Sequence, residues 1–175
     1  MKLTEPLPNV LEINGREYSI ETDFKKWMKF EIAVSKRQKQ IDIRFLFANE
    51  YPAYCKVDDL LKFSRPQKEL PRPMHGSSDV EVIDFEIDAN LIYAAFLQQY
   101  GIDLLTAEMH WHVFLALIDG LTGTRLDEVM AYRCYQKDTR KGVDRYEELR
   151  RAWEIEPTMT EEEKEELEEF SNQFY

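Results

Sequence analysis

The histidine pair in "MHWHVFLALIDGL", Met109 to Leu121, is the first stretch whose residue types could do chemistry. His110 and His112 are two of 3 histidines in the chain and flank Trp111. Imidazole is a common metal ligand and general base, so spacing decides what the pair can do. Residues two apart on a helix project about 200° apart around the axis. Helical zinc pairs use spacings of three or four. On a strand the two rings would share a face, but Trp111, Phe114, Leu115 and Ile118 follow the helical period. The pair therefore reads as one partly buried, hydrogen-bonded histidine and one surface histidine. A metal-dependent enzyme would have to combine His110 with Glu108 and the distant His75. No metal ligand set and no cofactor is assigned.

The acidic triplet Asp84, Glu86 and Asp88 could act as paired carboxylates only beside a base or a ligand cluster, and none is near in sequence. It reads as a solvated entry to a helix, with Asp88 as the cap. Cys134 lacks a neighbouring histidine and reads as a buried thiol. The chain contains no Walker A loop, no G-x-G-x-x-G and no G-x-S-x-G. No catalytic residue is assigned, and the expectation is that the protein is not an enzyme.

These residues must be positioned by 175 residues, enough for one domain with a sizeable core. Hydrophobic residues make up 43% and charged residues 33%, the balance of a soluble globular chain. Only 6 glycines and 7 prolines favour helices over a turn-rich sandwich. The net charge of −11 repels phosphate backbones and argues against nucleic-acid binding. The run "ANLIYAAFLQQYGI" is too short to span a bilayer, and "MKLTEPLPNV" carries no apolar leader core. Cys55 and Cys134 lie far apart, outside any CxxC, which fits a reducing cytoplasm.

Elements follow from periodicity. In "VLEINGREYSI", apolar residues alternate on both sides of Asn14-Gly15, predicting a β-hairpin over 10–20. Thr22 or Asp23 can cap a helix to about Lys36, with Phe24, Trp27, Met28, Phe30, Ile32 and Val34 as a wide core stripe. Residues 41–48, "IDIRFLFA", alternate like a strand, but no partner strand is evident, and helix is preferred. Val57 to Phe63 predicts a short helix. Pro66, Pro71, Pro73 and Gly76 mark a flexible loop over 64–80.

The second half is predicted helical. Asp88 begins a helix that ends near Tyr100, with Gly101 in the left-handed C′ position. Tyr93, Ala94, Phe96, Leu97 and Tyr100 surround it and predict a central, buried helix. Further helices are expected from Thr106 to Asp119, Arg125 to Tyr135 and Asp144 to Glu154. Tyr93, Phe96, Trp111 and Phe114 are assigned to the core. The fold class is mainly α: a compact helical domain over 1–155 with a small N-terminal β-hairpin, followed by an acidic C-terminal helix or tail over 156–175.

In that last segment, Thr160 and Glu163 make a capping-box pattern. Its only apolar stripe, Leu167, Phe170 and Phe174, is narrow and reads either as a loosely packed terminal helix or as a segment that folds into a partner groove. Upstream, Arg133, Lys137, Arg140, Lys141, Arg145, Arg150 and Arg151 form a basic stretch that answers the acidic tail or an acidic partner. Leu167, Phe170 and Phe174, with Arg150 and Arg151 behind them, are the candidate partner-binding residues.

The segments "DFEIDANLIYAAFLQQYGIDLL", "MHWHVFLALIDGL" and "VMAYR", over Asp84 to Arg133, resemble the bacteriophage gene-product-fifteen family. Asp88, Tyr93, Phe96, Tyr100, Gly101, Ile102, Asp103, Leu104, His110, Trp111, Phe114, Leu117, Leu121 and Arg133 carry the resemblance. His112 stands where it implies a bulky aromatic. The resemblance implies a protein encoded among the tail genes of long-tailed phages and prophages, beside the tail tube and tape-measure genes. That position implies a tail assembly chaperone in the cytoplasm of the bacterial host, binding the tape-measure protein or the tail tube protein. The alternative is a structural tail-completion component, and self-association into a homo-oligomer stays open.

Overall fold

The computed structural model describes residues 3–65, 82–135 and 145–155. Strands β1 (Val10–Ile13) and β2 (Arg16–Ser19) form an antiparallel hairpin, pairing Val10 with Ser19 and Ile13 with Arg16. Asn14 and Gly15 take φ angles of 53° and 77°, the two positive values that a type I′ turn requires. Leu11 and Ile13 turn inward, while Val10 and Glu12 face out. The chain then enters helix α1 (Phe24–Ser35). Asp23 caps it: the carboxylate accepts from the Lys25 amide at 2.8 Å.

The expected helix over 41–48 is not there. A single 3-10 turn, Arg44–Leu46, separates irregular chain from residues that run beside the end of β2. The Glu21 amide donates to Leu46 O at 2.9 Å and the Ala48 amide to Ser19 O at 3.0 Å, around a bridge between Ile20 and Phe47. Leu46 and Phe47 are both buried, so the burial is adjacent and follows neither period. The pairing partner is a single residue, Ile20, just past the end of β2, and it forms an isolated bridge.

Helix α2 (Val57–Ser64) confirms the short helix read from sequence. Its end coincides with the start of the predicted loop, most of which lies outside the described residues. Helix α3 (Ala89–Tyr100) ends as expected at Gly101, whose φ of 66° is left-handed. A Cβ at Gly101 would meet nothing within 4 Å, so the cost of adding one is conformational alone. Gly101→Ala is expected to lower stability by about 1–2 kcal/mol, checked by urea unfolding. A smaller burial than expected surrounds α3. Ile92, Ala95 and Phe96 are buried, Tyr93 and Tyr100 are partly so, and Ala94 and Leu97 are exposed. The helix lies at the edge of the core and not at its centre.

Helix α4 is Trp111–Asp119, shorter than predicted. Residues 103–107 instead form their own turn, closed by Asp103: its carboxylate takes the Leu105 amide and its carbonyl the Thr106 and Ala107 amides. The chain is then pulled onto the start of α1. Phe24 N donates to Met109 O at 3.1 Å and Trp111 N to Thr22 O at 2.7 Å, bridging Asp23 and His110. These tertiary bonds take the backbone groups that a longer helix would have used. Helix α5 (Arg125–Arg133) begins at Thr124, whose hydroxyl accepts from Asp127 N, while Asp127 reaches back to the Gly123 amide. Helix α6 (Arg145–Ala152) packs on α5.

One buried apolar cluster runs from Leu11 to Leu126. Phe114 sits within it, stacked on Phe24, Phe96 and Trp111 with ring centroids 5.0, 5.2 and 5.5 Å away. Trp27, Phe30, Phe96, Trp111 and Phe114 are each fully buried. The chain is therefore mainly α with a small N-terminal β-hairpin.

Candidate functional site

The histidines do not sit on opposite faces of one helix. His110 precedes α4 and caps it: its Nδ1 accepts from the His112 amide at 3.0 Å. The acceptor role of Nδ1 leaves Nε2 to carry the proton, which it donates to Pro8 O at 2.9 Å. His112 Nε2 donates to Phe63 O at 2.8 Å, and its ring stacks on Phe63 at 4.5 Å. The two imidazoles lie 5.1 Å apart, centroid to centroid. Both are partly buried, so neither is the free surface histidine expected from sequence. Burial pushes the His112 pKa below its ordinary value, and His110 adds repulsion. The pair joins the N-terminal segment, α2 and α4. Among the described residues no group of three or more His, Cys, Asp or Glu is placed to hold a metal ion. Glu108 is exposed, and His75 lies outside the described residues.

The acidic triplet is also corrected. Asp88 is 1% exposed and does not cap α3 with its side chain. Its carboxylate receives a fork from Arg133, Nη1 to Oδ2 at 2.6 Å and Nη2 to Oδ1 at 2.9 Å. Arg133, 3% exposed, also donates through Nη1 to Val82 O at 3.0 Å and through Nε to Trp153 O at 2.7 Å. One guanidinium thus ties three stretches of chain, residues 82–88, the end of α5 and the end of α6, which its fixed fork of donors suits it to do. Asp84 closes a local turn by accepting from the Glu86 and Ile87 amides, both at 2.7 Å. Glu86 pairs with Lys36 across to α1.

Arg133 was read as part of a basic stretch facing a partner, and that reading fails for it. Sequence held a usable signal: Leu126, Val129 and Arg133 lie on one face of α5, so an arginine shares the apolar stripe. The other candidate cations are on α6. Arg150 pairs with Glu154 at 3.4 Å and Arg151 with Glu147 at 2.7 Å, all within α6 or its end. Leu167, Phe170 and Phe174 lie outside the described residues. Cys134, expected to be buried, is exposed at the end of α5. Cys55 is partly buried, and burial pushes its thiol pKa up.

A feature not anticipated from sequence is a cleft of about 240 Å³ between α1, α2, α4 and the segment before α3. Trp111, Leu115, Ile83 and Phe85 give it apolar walls. Glu31 and Arg65 close one side as a bidentate ion pair, Nη2 to Oε2 at 2.6 Å. The Ser64 carbonyl accepts from the Trp111 indole at 2.8 Å, while the buried Ser64 hydroxyl has no hydrogen-bond partner among the described residues. Glu31 is a charged residue on the buried face of α1, and it is legible only once α2 brings Arg65 beside it.

No helix among the described residues is long and apolar enough to cross a membrane. Comparison with curated proteins and with solved structures yields no match. A family model described as Bacteriophage Gp15 protein matches residues 3–155. That span takes in the hairpin, the six helices among the described residues, the histidine pair and the Asp88–Arg133 tie, well beyond the stretch that carried the resemblance in sequence. The chain belongs to the Bacteriophage Gp15 protein family.

Proposed function

We propose that this phage-encoded protein is a tail morphogenesis factor. In this reading it is a non-catalytic tail assembly chaperone that binds the tape-measure protein, or the tail tube protein, in the host cytoplasm. The observation that carries the reading is the use made of the groups singled out for chemistry. His110, His112, Asp84, Asp88 and Arg133 are each engaged by backbone or by one another in holding the fold. A net charge of −11 also suits a chaperone. A tape-measure protein exposes apolar heptads before the tube covers them, and such surfaces aggregate unless masked. An acidic cover keeps the masked complex apart from its copies by charge repulsion.

Partner contact is proposed at Leu167, Phe170 and Phe174, supported by Arg150 and Arg151. A chaperone leaves when assembly ends. Mass spectrometry of purified mature virions is expected to detect the major tail proteins and not this chain. Its recovery at a fixed ratio to the tail tube protein would overturn the chaperone reading and favour a structural tail-completion component.

A further inference from the structure

The cleft between α1, α2, α4 and the segment before α3 has the size and chemistry of a small-ligand site. Ile83, Phe85 and Leu115 are its partly buried walls, and Trp111 lies fully buried behind them. The Phe85 and Trp111 rings meet edge-on, with centroids 5.8 Å apart and planes at 67°. Rings at that angle suit a third ring, which can stack on one and meet the edge of the other. An enclosed apolar cavity of about 150 Å³ holds benzene. At about 240 Å³ the cleft has room for a bicyclic ring or a substituted benzene and little more.

The charged groups of the lining are already engaged. Glu31 accepts from Arg65 at 2.6, 3.0 and 3.3 Å, and Asp84 Oδ1 accepts from the Glu86 and Ile87 amides, both at 2.7 Å. A charged ligand would lose hydration there without gaining an uncommitted counter-charge, so the cleft favours a neutral one. Ser64 supplies the remaining polar group. It is 1% exposed, and its Oγ has no hydrogen-bond partner among the described residues. A buried hydroxyl in that state forgoes a bond that water would have given it. No hydrogen bond among the described residues opposes its turning about χ1 toward the cleft, and a ligand N–H or O–H would recover the lost bond.

We propose that this cleft binds a neutral aromatic group carrying one N–H or O–H donor, of the indole or phenol class. The ring lies against Phe85 and Leu115, and its donor bonds Ser64 Oγ. The site is separate from the partner contact proposed at Leu167, Phe170 and Phe174.

The test is a titration of the whole, ¹⁵N-labelled protein with indole, read in ¹H–¹⁵N spectra. The reporter is the Trp111 indole N–H, which Ser64 O holds, assigned by its loss in Trp111→Phe. A saturable shift with a millimolar Kd is expected, the ordinary strength for a ligand of so few atoms. Ser64→Ala keeps the carbonyl that holds Trp111 and removes only Oγ. It is expected to weaken indole binding by about fivefold to tenfold and to leave toluene, which has no donor, unchanged. Leu115→Trp fills the cleft from α4 and is expected to abolish both shifts. Benzoate, of similar size but charged, is expected to cause none. N-acetyl-tryptophanamide separates two sources of the same chemistry: its binding supports a side chain presented by another chain, and its exclusion while indole binds supports a free small molecule. No saturable shift with indole up to its solubility limit, an indole affinity unchanged in Ser64→Ala, or benzoate bound as tightly as indole would overturn the proposal.

Discussion

Replacing Arg133 with alanine is expected to destabilise the protein by about 3–5 kcal/mol, because it strands the Asp88 carboxylate in the interior. Asp88 is 1% and Arg133 3% exposed, so water cannot take the place of the lost partner. The same change frees Val82 O and Trp153 O, loosening the segment before α3 and the end of α6 together. For a protein of this size the loss is on the order of a 10 °C drop in Tm. Lysine at 133 is not expected to restore stability, since a single ammonium cannot reproduce the fork. Replacing both partners by apolar residues, Asp88→Leu with Arg133→Met, is expected to cost less than Arg133→Ala alone. Desolvation of an unpaired charge, and not loss of attraction, dominates the single variant. Urea unfolding of the three variants checks this, and a single-variant loss under about 0.5 kcal/mol would show the pair to be more hydrated than its burial implies.

Trp111→Ala is the second large effect, also about 3–5 kcal/mol. The indole is fully buried, stacks on Phe114 and meets Phe85 edge-on at 5.8 Å. Removing it leaves a cavity that opens into the cleft, and leaves Ser64 O without the indole donor. Trp111→Phe keeps most of the packing and loses the hydrogen bond, so its cost is expected to be roughly 1–2 kcal/mol. The difference between the two variants separates packing from the bond to α2. A melting curve unchanged by Trp111→Ala would refute the core assignment.

What could be read from sequence was what neighbouring residues decide. Asn14-Gly15 set the hairpin turn, Gly101 ended α3 and Thr124 began α5, each through a conformational preference or a side chain within a few residues. The errors came where distant chain intervened. His110 fell outside its helix because Thr22 and Phe24 claim the backbone on either side of it. Asp88 has the sequence position of a cap, yet Arg133, from another helix, draws its carboxylate away. Residues 41–48 gave up their helical preference to pair Phe47 with Ile20. Family membership was legible from the aromatic-rich stretch between Asp84 and Arg133, although the match extends over residues 3–155. The cleft was not legible, since its walls come from four segments that no local pattern links.

The central claim is that this protein covers a tail protein during assembly. Co-expression with a phage tape-measure protein, followed by centrifugation and pull-down of the soluble fraction, tests that most directly. The account predicts that the partner moves from the insoluble to the soluble fraction and co-elutes, and that Leu167→Asp with Phe170→Asp abolishes the rescue while leaving the fold intact. A partner that stays insoluble while this chain elutes alone, with the tail tube protein likewise unbound, would contradict it.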